Sequence, residues 1–301
     1  MNGTHFSRMN MSLNDRFFAY INFFMNYIHF LKLYRSRYRN FVSILYHILR
    51  NKYPIKAVFK SGETILLNDY QEVYNNLNDL DSDPIEDIVY FNGMKFYGGR
   101  TNGDILHVFK MDEYSFLPVE GKEVIDVGAN IGDSSIYFAK KGAKNVIAVE
   151  PDRISFDYAI KNITINNFSK IINMIWAGCS SHNISHIGEH PEFLTLKSLI
   201  ERYCSYPQVL KVDCEGCEYD FILSAPCDEL RKFSHIQIEY HFGYQNLKRK
   251  LEECGFNVTN TRPTYFYPLN KNRTAKLVVG NQIVQSNRWT IGSLYATRNL
   301  K

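Results

Sequence analysis

The stretch Val124–Glu150, VIDVGANIGDSSIYFAKKGAKNVIAVE, reads as strand, glycine turn, helix, strand and acid. Val124, Ile125 and Val127 form a short β-branched run between Gly121 and Gly128. Gly128 and Gly132 bracket a tight turn, expected where backbone passes close to a ligand. Ile136, Phe138 and Ala139 lie in a helix, and Gly142 stands where that helix should stop. Val146–Val149 is a second buried-strand run. Glu150 follows it directly, in the position from which an acid accepts hydrogen bonds from a ribose diol. The order is that of a nucleoside-cofactor site.

The glycine spacing narrows the cofactor. A dinucleotide turn has G-x-G-x-x-G with a pyrophosphate on the helix N-terminus. Here the pattern is Asp126-x-Gly128-x-x-x-Gly132, and Asn130 stands two places after Gly128. Asp126 would repel a pyrophosphate and attract a cationic amino-acid group. S-adenosylmethionine carries an ammonium and a sulfonium and no phosphate. The pattern resembles motif I of the class I methyltransferases, with Glu150 in the place of their strand-2 acid. The expected cofactor cradle is Asp126, Gly128, Ala129, Asn130 and Gly132, with Glu150 on the ribose. Ala177 and Gly178, after the strand Ile171–Trp176, are expected to frame the adenine.

A second constellation follows at Val209–Glu218, VLKVDCEGCE, a buried strand ending in Asp213, Glu215 and Glu218. Open α/β sheets place ligands at the carboxyl ends of their strands, and three carboxylates there are costly unless they face something cationic. The stretch resembles the K-x-D-x-E-G-x-E motif of the FkbM-like methyltransferases. Thr195-Leu-Lys-Ser-Leu upstream, His235-Ile-Gln-Ile-Glu-Tyr-His241 downstream, and a helix running to Gly255-Phe256 extend the likeness over about residues 88–298. The resemblance implies an α/β, Rossmann-like class I methyltransferase sheet, mostly parallel and doubly wound, with an antiparallel C-terminal strand. It also implies methyl transfer to oxygen, on sugars, glycolipids or polyketide-type metabolites. Cys214 and Cys217 depart from the family, which more usually has small or aliphatic residues there.

In the run His235–His241, residues 235, 237, 239 and 241 share one face. A central parallel strand normally buries both faces, so these polar residues need a reason. His235 reads as a strand-start histidine. Glu239 and His241 lie toward the carboxyl end, where an acceptor should sit. A sugar hydroxyl does not ionise unaided at neutral pH, so a base or a metal must help. His241 titrates in the useful range and is the expected base, with Glu239 and Asp213 beside it. The alternative is a divalent metal such as Mg2+ on Asp213, Glu215 and Glu239.

The chain has 301 residues, 45% of them hydrophobic, with 21 Tyr and 21 Phe. It divides into a basic aromatic helical extension (1–52), a β-hairpin lead-in (53–110) and a methyltransferase domain (111–301). Residues 1–60 hold 10 Lys/Arg and 1 Asp, a balance of +9; the remaining 25 Lys/Arg and 30 Asp/Glu give −5, summing to +4. Helical patterns near 15–35 and 39–51 carry Phe17, Phe18, Phe24, Tyr27 and Phe30. They are read as a cap packed on the domain or on a second copy, as an interfacial pair on anionic lipid, or as a nucleic-acid surface; nucleic acid is the least favoured. Hairpins are expected at Ile55–Leu67 (turn Ser61-Gly62) and Ile88–Tyr97 (turn Asn92-Gly93), with a polar linker at 79–87. The run Thr101–Asp104 reads as a turn or as a flap over the cofactor. No signal-peptide pattern is seen, so a cytoplasmic protein, peripheral at a membrane in the lipid reading, is expected. On that basis the triplet Asn162-Ile-Thr carries no glycan, and the six cysteines are buried small hydrophobes rather than a zinc or redox set. The competing function is a non-catalytic nucleoside-binding protein that works through its basic N-terminus.

Overall fold

The first two helical patterns fold as α1 (Leu13–Arg37) and α2 (Phe41–Leu49). The structure is a computed structural model describing residues 13–298, except 79, 84, 101–102, 187, 189, 267–274, 280–281 and 287–288. Strands β1 (Ile55–Val58) and β2 (Thr64–Leu67) form the expected hairpin, and Gly62 in its turn has φ +101°. Helix α3 (Tyr70–Leu77) starts at Asp69, whose side chain accepts from Glu72 N at 2.7 Å. These elements share one core of Tyr34, Tyr38, Ile44, Ile55, Leu67 and Val73. Arg100, 5% exposed, pairs with Asp69 at 3.0 Å and ties this unit to the rest of the chain. On α1, Phe17, Ile21, Phe24 and Met25 stay exposed, three or four residues apart along one side. Among the described residues no helix is long and apolar enough to cross a membrane.

The stretch read as a linker contains a strand instead. β3 (Asp81–Asp83) pairs antiparallel with β4 (Ile88–Phe91), which pairs with β5 (Met94–Tyr97). Strand polarity is no guide here, because β3 sits at the edge of a three-stranded sheet and needs only one partner. Asn92 and Gly93 both have positive φ, +48° and +77°, as a two-residue hairpin turn requires.

The main sheet is built as the glycine turns predict. β6 (Glu123–Val127) leads through α4 (Asp133–Lys140) to the parallel β7 (Asn145–Val149), and α5 (Arg153–Ile165) leads on to β8 (Ile172–Ile175). Short strands β9 (Ala177–Cys179) and β10 (Glu192–Leu194) pair with each other. Helix α6 (Leu196–Tyr203) then carries the chain to β11 (Pro207–Val212), on the other side of β6. Helices α7 (Cys217–Ser224) and α8 (Cys227–Leu230) precede β12 (His235–Tyr240), and α9 (Gln245–Glu253) precedes β13 (Asn257–Asn260). After β14 (Thr264–Phe266) and the hairpin β15 (Ala275–Val279) and β16 (Gln282–Ser286), β17 (Trp289–Thr297) runs back antiparallel between β12 and β13. The order is β13-β17-β12-β11-β6-β7-β8. The direction of winding reverses between β6 and β11, so the crevice lies at their carboxyl ends.

The sequence pattern pairs Thr264–Tyr267 with Ser293–Ala296 as antiparallel terminal strands, and the register differs. Ser293–Ala296 pairs with β12 and β13, whereas Thr264–Phe266 meets Trp289–Ile291 at the start of β17; Tyr267 lies outside the described residues. A nine-residue strand is long enough to take both partners in succession.

Four of the six cysteines are joined, Cys214 to Cys217 and Cys227 to Cys254, against the reading of all six as free buried hydrophobes. The second pair is invisible in sequence, because α8 and the end of α9 bring together residues 27 apart, with Cα atoms 5.0 Å from each other. Cys179 and Cys204 are free.

Asn162 is fully buried, so it is not a surface glycan acceptor. It binds Tyr97 through both its oxygen (2.7 Å) and its nitrogen (3.0 Å), and its nitrogen also reaches the Ile131 carbonyl at 2.9 Å. One turn on, Asn166 does the same for Lys95. Helical residues four apart rise ~6 Å and strand residues two apart ~6.6 Å, so two helix amides complete the open edge of β5. Asn162→Ala leaves buried Tyr97 and Ile131 groups unpaired. It is expected to lower stability by about 3 kcal/mol in urea unfolding.

Candidate active site

Beneath the crevice lies a fully buried ion pair. Lys211 and Asp126 are cross-strand partners on β11 and β6, with Nζ 3.1 Å from Oδ1. Lys211 also donates to the carbonyls of Gly128 (2.7 Å) and Val127 (3.3 Å). The other oxygen of Asp126 accepts the Ser134 and Ser135 hydroxyls at 2.7 and 2.6 Å, at the N-terminus of α4, where a negative charge is favoured. Burial works against the Lys211 charge, but Asp126 and Asp213 outweigh it and hold the ammonium above its ordinary pKa. Asp126 is therefore not a contact for a cofactor ammonium, as the sequence suggests. Lysine already satisfies it, and its role is to fix the turn.

The glycine turn also has another cause. A Cβ on Gly128, whose φ is +76°, would lie 1.7 Å from the Asp213 carbonyl oxygen. The close approach is to the end of β11. Gly132 (φ +82°) packs against Ala159 of α5 and opens α4. Ala129 is buried, and its amide, like that of Gly128, donates to Val149. Asn130, at φ +47°, donates its amide to Glu150 Oε2 at 2.9 Å, and Asp152 N donates to Oε1 at 2.8 Å. Glu150 thus closes the turn at the end of β7. Each of its oxygens keeps a lone pair for a further donor such as a ribose hydroxyl. Burial raises its pKa, opposed by the two amides. Ala177 and Gly178 are buried in β9, and a Cβ on Gly178 would meet the Phe193 ring at 2.5 Å. The missing side chain of that glycine is accounted for by β10.

The acceptor side is built from the ends of β11 and β12. The loop Asp213–Cys217 turns sharply, with Glu215 at φ +56° and Gly216 at +118°, and is closed by the Cys214–Cys217 bond. Asp213 N donates to Val127 O at 3.0 Å, which places its carboxylate over the crevice. His241, 3% exposed, turns Nδ1 to Glu218 Oε1 at 2.7 Å, and Glu218 is itself fully buried. Nε2 lies 3.4 Å from Glu215 and 3.9 Å from Asp213. Ligand atoms of Asp213, Glu239 and His241 all lie within 4.8 Å of one another.

The polar face of β12 is explained by the segment before β6. Phe116 packs on the His235 ring, and Gln237 Nε2 donates to the Glu113 carbonyl at 3.2 Å. The same segment brings Asp104, His107 and Glu113 together as a second cluster. Thr101 and Asn102 lie outside the described residues, but Asp104 N donates to Asp133 Oδ2 at 2.9 Å, so the flap end is anchored to the motif turn. Burial, with Asp104 and Asp213, pushes Glu113 up to about 7. Burial and Asp213 hold Glu239 well above the usual carboxylate range. For His241, burial alone would lower the pKa, but Glu215 and Glu218 hold it well above its ordinary value. The ring of carboxylates thus favours the charged imidazole, which works against its expected role as base.

Lys211, Glu113, Gln237 and the two serines do not stand out as functional in the sequence. Lys211 has a signal, a lone cation inside an apolar strand run. Glu113 has none, since only folding brings it over Asp213. A cavity of about 320 Å3 lies elsewhere, beside Tyr206, Arg231, Lys232 and Arg298 near the start of β11.

Sheet order, glycine turn and strand-2 acid define a class I methyltransferase fold. No family model matches the chain. Over 76 residues it is 38% identical to protein arginine N-methyltransferase 6 of Danio rerio, covering 25% of this chain and 20% of that one. Over 54 residues it is 46% identical to ribosomal protein L11 methyltransferase of Listeria monocytogenes, covering 18% and 17%. Over 179 residues it is 26% identical to an uncharacterised protein of Methanocaldococcus jannaschii, covering 54% and 66%. The chain therefore spans less than two thirds of the length of each of these relatives. Among solved structures it is similar to TYW2 of M. jannaschii in complex with AdoMet (TM-score 0.40, 16% identity, 73% of this chain and 90% of that one). It is also similar to methyltransferase FkbM of Methylobacillus flagellatus (TM-score 0.41, 16% identity, 58% and 43%).

The buried charges have measurable consequences. Lys211→Met strands Asp126 without a counter-ion and is expected to lower stability by about 3–5 kcal/mol in urea unfolding, with partial recovery when Asp126→Asn is added. Asp133, 4% exposed, is pushed up to about 6, chiefly by burial, from 3.8. Its folded-state pKa is raised, so its contribution is most favourable below 3.8 and is lost as pH rises through about 6. Asp133→Asn is therefore expected to flatten the fall in stability from pH 4 to 7 by roughly 2 kcal/mol, read from melting curves across that range.

Proposed function

We propose that the protein is an S-adenosylmethionine-dependent methyltransferase acting on a hydroxyl of a neutral small molecule, a sugar or glycolipid headgroup, as in the FkbM-like family. The observation that carries this reading is Glu150. It is a buried acid at the end of β7, locked by the Asn130 and Asp152 amides, with acceptor capacity left over beside the motif turn. S-adenosylmethionine, when bound, supplies a methyl group already activated by its sulfonium. Glu150 would hold its ribose, and the turn Gly128–Gly132 would line its amino-acid part through backbone groups.

The chain's own residues then have three tasks. Lys211 and Asp126 keep the turn and the Asp213 loop in fixed relation. Glu215, 3.4 Å from His241 Nε2 and with its side chain 67% exposed, receives the acceptor's proton. The flap residues Asp104 and Glu113 cover the same space. This carboxylate surplus favours a neutral acceptor over a polyanion, which argues against nucleic acid. It also argues against the alternative of a non-catalytic binding protein, whose cofactor pocket would need no acids on the acceptor side.

The test is calorimetric titration with S-adenosylmethionine of wild type and Glu150→Ala, with melting curves to show that both are folded. Micromolar binding that is lost in the variant is expected. No binding to folded wild-type protein would overturn the assignment and favour the binding-protein alternative.

A further inference from the structure

Five carboxylates, from Asp104, Glu113, Asp213, Glu215 and Glu239, converge at the ends of β11 and β12 from three stretches of chain. Lys211 is committed to Asp126 at 3.1 Å and stands 3.9 Å from Asp213. His107 lies beside Asp104 and Glu113, and His241 beside Asp213 and Glu239. The acids outnumber these basic groups. Negative charge in a partly buried site is costly unless something cationic meets it.

The donor set is specific. Asp213, Glu239 and His241 offer two oxygens and one nitrogen within 4.8 Å of one another. Glu239 makes no hydrogen bond or ion pair among the described residues. The His241 ring is 3% exposed, and its orientation is fixed because Nδ1 is held by the fully buried Glu218 at 2.7 Å. Nε2 is left pointing into the acids, with no hydrogen bond among the described residues. A carboxylate behind an imidazole, orienting its far nitrogen, is how metal-ligating histidines are held.

We propose that Asp213, Glu239 and His241 bind a divalent cation of the Mn2+ or Mg2+ type, with Glu218 positioning the histidine. This differs from the set expected in sequence: His241 replaces Glu215, whose side chain is 67% exposed. The ion takes the Nε2 lone pair of His241 and sets two positive charges against the acids. Its role, which rests on the methyltransferase reading, is to bind one hydroxyl of the acceptor, or two adjacent ones, and so acidify the oxygen. The hydroxyl proton leaves to Glu215 and then to solvent. The new O–C bond forms as the C–S bond breaks, and the sulfonium becomes a neutral thioether.

The test is titration of the metal-stripped full chain with Mn2+, without S-adenosylmethionine, followed by electron paramagnetic resonance and by melting temperature. The expected result is one saturable Mn2+ per chain, a raised melting temperature, and competition by Mg2+. Asp213→Asn, Glu239→Gln and His241→Asn should each weaken binding by more than about tenfold, while Asp228→Asn, on the exposed start of α8, leaves it unchanged. The near-isosteric acid variants remove crowded charge, so at least one is expected to fold. Absence of saturable Mn2+ in folded wild type, or equal binding in folded variants, would overturn the site. S-adenosylmethionine binding in the same preparations separates the two readings: Mn2+ without it keeps the metal site and removes the methyltransferase role, and the converse removes only the metal.

Discussion

The contact between Lys211 and Asp126 joins the two halves of the winding. The chain runs β6, β7, β8 to one side, then returns to lay β11 on the other side of β6. At that seam a buried ammonium holds Asp126 and the carbonyls of Val127 and Gly128, while Asp126 holds the first turn of α4 through Ser134 and Ser135. Burying two charges costs several kcal/mol each. The cost is offset because Lys211 also donates to two backbone carbonyls and one oxygen of Asp126 accepts two hydroxyls, in fixed geometry. A hydrophobic pair could pack as well. It could not tie the turn, the helix and the neighbouring strand to one point.

That point sets the spacing of the site. With Gly128 pressed against Asp213, the glycine turn and the loop after β11 are in direct contact. The segment before β6 brings Glu113 and Asp104 beside it, held by Asp133 at one point and Gln237 at the other. The same low polarity that strengthens the Lys211 pair makes the unpaired acids beyond it expensive. The interior is thus settled below the strand ends and unsettled at them, which is where binding energy can be used.

Motif, helix and strand positions are legible in sequence because local chemistry fixes them. Gly128, Gly132 and Gly142 have positive φ, Asn92-Gly93 makes its hairpin, and Glu150 ends β7. The roles are less legible. Spacing points Asp126 at a ligand, and it faces Lys211. Spacing points Gly178 at an adenine, and it makes room for Phe193. Residue type makes His241 a base, and its neighbours favour its charged form. In each case the residue can be found from sequence and its partner cannot, because the partner lies 15 to 85 positions away.

Sequence alone determined the class of fold, the order of elements and which strand ends carry acids, since periodicity and turn chemistry act over a few residues. Tertiary structure decided what those acids meet. The Asp126 charge is cancelled by a cross-strand lysine, the His241 ring is aimed by Glu218, the Cys227–Cys254 pair is closed by two helices, and the carboxylates outnumber the cations by convergence of segments far apart in the chain. Charge acts through space and is weighed by burial, and neither distance nor burial is written in the spacing of letters.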